Sequence, residues 1–199
     1  MDNILFETER LIVRRLSLDD AELLLKYSNE EITKKELPDE VYENTEEIND
    51  AIEFFIINYD YTYPLVYGIV LKNDNRIIGH IGLSEIDRGV EIGYAIATDY
   101  QNKGYASEII TPFINWSKNI LICNWPNNPQ NIDRIIGVTK KENIASWKIL
   151  EKNGFKLLEE GIYKNYFDGK YTVKIYAKSL VSKINPPIIR TPADIQMLH

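Results

Sequence analysis

Residues 101–107, Gln-Asn-Lys-Gly-Tyr-Ala-Ser, lie between a strand-like run ending near Ala97 and the start of an amphipathic helical run. Gly104 and Ala106 are small where that helix opens, so successive main-chain N–H groups can approach a ligand closely. Unbonded amides at the positive end of a helix suit a pyrophosphate. A glycine turn ahead of a helix carries the same residues for purely structural reasons. Two common nucleotide loops are excluded: there is no Gly-x-x-x-x-Gly-Lys-Ser/Thr, and no Gly-x-Gly-x-x-Gly follows the strand.

The run just upstream, 90–97, alternates Val90, Ile92, Tyr94 and Ile96 with Glu91, Gly93, Ala95 and Ala97. One face of the strand is bulky, and the other is a carboxylate among small residues. Such a face has room for a ligand beside a proton acceptor. It can equally admit a close-packed helix, with Glu91 at the rim in an ion pair. About forty residues on, Asn143 is a good N-cap for a short helix over 143–152, with Ser146 one turn in and Gly154 as the stop.

The elements that must position these residues follow from periodicity. Residues 9–16 predict a first strand, and Ser17 caps a helix bearing Leu18, Ala21, Leu24 and Leu25. Thr45 is the expected cap of a second helix bearing Ile48, Ile52, Phe55 and Ile56. Three strand runs, 65–71, 77–83 and 90–97, form an antiparallel meander across turns at 73–75 and 87–89. A long helix from about Lys103 carries Ala106, Ile109, Ile110, Phe113 and Ile114 on one face, with Pro112 expected to kink it. After a Pro/Asn loop at 124–131 come a strand at 133–139, the helix at 143–152, and strands at 155–166 and 171–178 about the Asp168-Gly169 turn. The order is β-α-α-β-β-β-α-β-α-β-β, a mixed α/β fold with a largely antiparallel sheet flanked by helices. Residues 1–179 form one domain; 180–199, with three prolines among Ile184, Ile188, Ile189, Ile195, Met197 and Leu198, form a tail expected to dock on the domain or a partner.

Composition narrows the function. A net charge of −7 argues against broad nucleic-acid binding and is compatible with a cationic partner. No stretch approaches the roughly 20 apolar residues of a membrane span, and the N-terminus is not that of a signal peptide, so a cytoplasmic protein is expected. Cys123 is the single cysteine, and His80 and His199 share no ligand spacing, so no metal site is expected. Cys123 reads as structural.

The segment Gln101-x-x-Gly104-x-Ala106 resembles the GNAT acetyltransferase signature Gln/Arg-x-x-Gly-x-Gly/Ala. Asn143-Ile144-Ala145-Ser146 leading to Glu151-Lys152-Asn153-Gly154-Phe155 is similar to the family's Asn-x-x-(Ser/Ala)…Glu-x-x-Gly-Phe segment. The opening 7–15, Glu-Thr-Glu-Arg-Leu-Ile-Val-Arg-Arg, and Glu91-Ile92-Gly93-Tyr94 resemble the ribosomal-protein N-terminal acetyltransferase (RimJ/RimL-like) branch. Four segments in order span about residues 5–178, and the family's fold is the order of elements already read. The resemblance implies that acetyl-CoA is held by Ile96, Ala97, Gln101, Asn102, Lys103, Gly104, Tyr105, Ala106, Ser107 and Asn143. It implies Ser146 as a general acid for the departing thiolate, although a thiol of pKa near 8.5 can also leave without one; Glu91, on the open face of its strand, is the candidate proton acceptor. Many members place a tyrosine acid seven residues after the asparagine, where this chain has Leu150.

The implied activity is direct transfer of acetyl from acetyl-CoA to an amine. Deprotonating an α-amine of pKa about 7.7–8.0 costs about 1–1.4 kcal/mol at neutral pH, against roughly 4.6 for a lysine-like amine. A carboxylate suffices for the smaller task. A protein or peptide α-amino group is favoured by the resemblance, with polyamine, amino acid or aminoglycoside also open. The acceptor pocket is expected from 30–63 and 163–171, rich in Glu and Tyr. A non-catalytic acyl-CoA-binding or protein-interaction module is the different-class alternative; monomer and homodimer are both compatible.

Overall fold

The period-two runs fold as strands and the amphipathic runs as helices. A computed structural model describes residues 3–37, 40–59, 65–86, 89–118, 132–165 and 169–180. Strands β1 (Ile4–Glu7) and β2 (Leu11–Arg15) precede helices α1 (Ala21–Ser28), α2 (Glu31–Glu36) and α3 (Thr45–Asn58). Then come β3 (Leu65–Leu71), β4 (Ile77–Ile86), β5 (Gly89–Ile96), α4 (Tyr105–Lys118), β6 (Arg134–Lys140), α5 (Ile144–Lys152), β7 (Lys156–Asn165) and β8 (Gly169–Ser179).

The strands form one sheet in the order β1-β2-β3-β4-β5-β6-β8-β7. All neighbours are antiparallel except β5 and β6. The fold class is the expected one, with two elements added to its order. β1 is a four-residue edge strand too short to show a period. α2 is a six-residue polar helix with no apolar stripe. Capping also differs in one place: Asn44, not Thr45, caps α3, because its side-chain oxygen reaches the Glu47 N–H at 3.0 Å. Pro112 lies inside α4, which continues to Lys118. The 180–199 tail beyond Leu180, the 124–131 loop, Cys123 and His199 fall outside the described residues.

Two apolar clusters cover the two faces of the sheet. On one, Ile69, Ile81, Leu83, Val90 and Ile92 pack with Ile109, Ile110, Phe113 and Ile114 of α4 and Leu150 of α5. On the other, Val70 and Ile77 pack with Ala21 and Leu24 of α1 and Ile48 and Ile52 of α3. The faces alternate along β5 as its sequence predicts: Val90, Ile92, Tyr94 and Ile96 belong to the α4 face, while Ala95 packs on the α1/α3 face.

This packing explains Leu150. It is 1% exposed, and a Cβ at Gly137 of β6 would stand 2.9 Å from its side chain. The position is core, so a tyrosine cannot occupy it without displacing β6 from α5. Leu150→Tyr is therefore expected to destabilise the fold by about 1–3 kcal/mol through overpacking, read as a Tm lower by several degrees, with no gain in turnover.

Candidate active site

β5 and β6 share only two rungs, Val90 with Ile135 and Glu91 with Ile136, and then part. Beyond them the sheet is open. The Ala97 N–H donates to Ile78 O at 2.8 Å. The two-residue period of an antiparallel ladder then gives Ala95, Gly93 and Glu91 to β4. The Ile92 carbonyl, both main-chain groups of Tyr94 and the Ile96 N–H consequently face the opening. The Ile96 carbonyl is taken by Gln101 Nε2 at 2.8 Å. Ala97 has both main-chain groups engaged, since its carbonyl accepts from Tyr100 N–H at 2.9 Å.

Glu91 sits half-buried where the strands part, on the α1/α3 face. The Val138 main chain of β6, next in line for a rung that does not form, bonds to its carboxylate. Burial pushes the Glu91 carboxyl up to about 7; the Val138 bond works the other way, and negative Glu40 adds to the rise. Gly93, one rung further along the same face, is exposed and has nothing within 4 Å of where a Cβ would stand.

The loop at 101–107 closes the far end of the opening. Asn102 and Gly104 both take positive φ, +58° and +84°, so the chain turns sharply into α4. The first main-chain bond of that helix runs from Glu108 N–H to Gly104 O at 3.0 Å. The amides of Gly104, Tyr105, Ala106 and Ser107 precede it and have no carbonyl within the helix to meet. Arg10 clamps the corner: it pairs with Glu108 at 2.6 Å, donates to Lys103 O at 3.0 Å and lies over the Tyr105 ring at 4.5 Å. Thr8 Oγ1 donates to the same Glu108 carboxylate at 2.6 Å.

The other wall is the start of α5. The Asn143 side-chain oxygen accepts from Ser146 N–H at 3.1 Å, and its nitrogen donates to Glu36 of α2 at 3.1 Å. Tyr94 spans the opening on the α4/α5 face, its hydroxyl 3.2 Å from Ser146 Oγ and 3.3 Å from the Ser146 carbonyl. Burial pushes the Tyr94 phenol up to about 12, against the pull of its Ser146 bond. Glu91 and Ser146 thus flank the same opening from opposite faces of the sheet.

A second polar group lies on the Glu91 side. His80 of β4 is opposite Ala95 and 8% exposed. Its Nδ1 bonds the Tyr27 hydroxyl of α1, and its Nε2 lies 3.0 Å from the Glu40 carboxylate. Burial works against a charged His80 ring, yet Glu40 holds its pKa above the ordinary value. Burial likewise pushes Glu40 up, but His80 more than offsets this and holds it below the usual range.

A family profile for the acetyltransferase (GNAT) domain matches residues 10–156. An N-acetyltransferase of Bacillus subtilis, YoaA, is 32% identical over 171 residues, covering 81% of this chain and 87% of its own. The chain belongs to the GNAT acetyltransferase family. Its activity is acetyl-CoA-dependent N-acetyl transfer. The fold agrees with solved structures of family members. A ribosomal-protein-S5-alanine acetyltransferase from Vibrio fischeri superposes with a TM-score of 0.71 at 22% identity, over 91% of this chain and 98% of that one. A spermidine N-acetyltransferase from Vibrio cholerae, in complex with CoA and spermine, gives 0.69 at 22% identity, over 85% and 95%. No helix among the described residues is long and apolar enough to cross a membrane.

A GNAT chain must seat a long, amide-bearing coenzyme arm and a pyrophosphate. The open edge of β5 offers main-chain groups to the first, and the unbonded amides of 104–107 offer donors to the second. Tyr94, Glu40 and His80 were not singled out by sequence reasoning as site residues. Tyr94 lay in a recognised segment, but its partner Ser146 is 52 residues away. Arg10 also lay in a recognised segment, but its clamp on Glu108 reaches across 98 residues. Because Gly104 holds φ +84° beside these amides, Gly104→Val should cost of order 1–3 kcal/mol in strain and lower acetyl-CoA affinity at least tenfold. Calorimetry on the folded variant, checked by its melting curve, measures both.

Proposed function

We propose that this enzyme acetylates the α-amino group of a protein or peptide by direct attack on acetyl-CoA, with Glu91 as proton acceptor. The observation that carries this is the Glu91 carboxyl, half-buried at the apex of the opening and raised to about 7. A base of that strength accepts a proton from an α-ammonium of pKa about 7.7–8.0 for about 1–1.4 kcal/mol. The same step from a lysine-like ammonium of pKa about 10.4 costs roughly 4.6 kcal/mol. Glu91 takes the first proton from the ammonium and returns it to solvent; the neutral amine nitrogen then bonds to the thioester carbonyl carbon, its second proton passes to Glu91, and the C–S bond breaks. The sulfur leaves as thiolate towards Tyr94 and Ser146, whose hydroxyls stabilise it by hydrogen bonding, and takes its proton from solvent. A phenol raised to about 12 is a hydrogen-bond donor to a thiolate of pKa near 8.5, not its proton source. The Vibrio fischeri enzyme, named for a ribosomal-protein alanine, supports a protein α-amine. A polyamine is the second reading, favoured by the Glu40 and Glu91 carboxylates together.

The pH dependence has a definite sign. Glu91 accepts a proton only when ionised, so kcat should rise with pH through about 7. The folded-state pKa lies above the unfolded value near 4.3, so its contribution to stability is present at low pH and is lost as pH rises through about 7. Glu91→Gln should flatten both curves and lower kcat about 10²- to 10⁴-fold with coenzyme affinity intact. Ser146→Ala and Tyr94→Phe should each lower kcat about tenfold or less. A pH–rate profile of the four proteins with one α-amine peptide checks this. A wild-type profile in Glu91→Gln would make the carboxylate structural and water the base.

A further inference from the structure

Between α1, α3 and the β3–β4 ladder, on the same face of the sheet as Glu91, lies a cavity of about 70 Å³. Its walls include Leu16, Leu24, Ile48, Ile52, Phe55 and Val66, and its polar end is Tyr27, His80 and Glu40. His80, Gly82 and Ser84 of β4 stand opposite Ala95, Gly93 and Glu91 of β5, all on one face. The Gly93 rung therefore lies midway, about 6–7 Å from the His80 rung on one side and the Glu91 rung on the other. Glu40 stands at the mouth, its side chain 38% exposed while that of His80 is 10% exposed. The Glu40 oxygen that is buried, Oε2, is the one 3.0 Å from His80 Nε2, so His80 engages one side of the carboxylate. A carboxylate held by His80 at its buried oxygen, with the rest of its side chain partly exposed at the mouth, is arranged to meet a cationic donor there.

We propose that this cavity takes the aliphatic first side chain of the acceptor, and that Glu40, positioned by His80, binds its ammonium above Gly93. This deepens the α-amine reading and rests on it. Size decides the chemical class: an apolar cavity of about 150 Å³ admits a benzene ring, so one half as large takes a short branched aliphatic group and excludes an aromatic one. The largely apolar wall and the Glu40 carboxylate in the lining disfavour an anionic first side chain. Glu40 is also the charged group whose field bears on Glu91, with the His80 ring behind it. The ammonium that Glu40 binds is thus delivered next to the carboxylate that deprotonates it.

The test is kcat/KM for peptides that differ only in their first residue, Gly, Val, Leu, Trp or Asp, with the intact protein and acetyl-CoA. Val or Leu is expected to exceed Gly at least tenfold, in the range that one or two methylene groups contribute to a hydrophobic pocket. Trp and Asp fall below Gly. Val66→Phe, which fills the cavity from β3, should bring the Leu-to-Gly ratio towards one. Leu24→Ala, which enlarges it, should move the preference towards Trp, so that an unfolded Val66→Phe does not stall the test. Glu40→Gln should raise KM for every peptide about tenfold, the worth of a hydrogen bond to a charged group, and move the acid limb of the pH profile to lower pH. If peptides react without first-residue preference, or both pocket variants change all peptides alike, the cavity plays no part. An unchanged KM in Glu40→Gln removes that residue's role. If no peptide reacts while spermidine does, the α-amine reading itself falls, and this inference with it.

Discussion

Two rungs of parallel ladder hold β5 to β6, and everything in the site depends on there being no third. Each rung that a buried strand pair fails to make leaves polar main-chain groups to be satisfied elsewhere. Val138 finds the Glu91 carboxylate, and the Ile96 carbonyl finds Gln101. The groups between them are left for an extended ligand carrying its own amides, which can add to β5 as a strand would. The same absence draws the Glu91 carboxylate into a partly dry wedge, which is why its proton is held to about neutral pH. The gap in the sheet and the raised Glu91 carboxyl therefore have one structural cause.

The sheet is kept from closing by what bridges its halves. Tyr94 of β5 reaches Ser146 of α5, and Glu36 of α2 reaches Asn143 at the cap of that helix. Lys140 at the end of β6 bonds the Lys35 carbonyl, also in α2. α4 packs on β1 and β5 as well as on α5, and Arg10 fixes its first turn against the β1–β2 corner. Glu30, ahead of α2, accepts from both Thr98 N–H and Thr98 Oγ1, at 2.8 and 2.5 Å, and so anchors the chain after β5. These contacts join the elements that flank the opening without filling it. On the α1/α3 face Gly93 leaves the floor open, and Glu40 and His80 pair on the same side of the sheet.

The legible parts of this arrangement were those set by local period and by single-residue geometry. The alternation along β5 gave both faces correctly, and with them the placement of Glu91 among small residues. Asn143 caps α5 as its type predicts, and Gly104 takes the positive φ that a tight entry into a helix requires. What was hidden depends on contacts between distant segments. α2 is six residues with Ile32 as its single large apolar side chain, and is held by its contacts with Asn143 and Lys140. His80 has no chemical context in its own strand; its partners Tyr27 and Glu40 arrive from 53 and 40 residues away. Leu150 could be noted as a departure from the family pattern, but only its packing against Gly137 shows the position to be core.

The central claim is that the unzipped edge of β5 and the first turn of α4 together form the coenzyme site. Amide hydrogen exchange, resolved by residue with and without acetyl-CoA, tests it most directly. Strong added protection is expected at Tyr94 and Ile96 and at Gly104 to Ser107, and none along the outer edge of β7. Unchanged exchange at Tyr94 and Ile96 under saturating acetyl-CoA would mean that the coenzyme does not lie along β5, and would contradict the account.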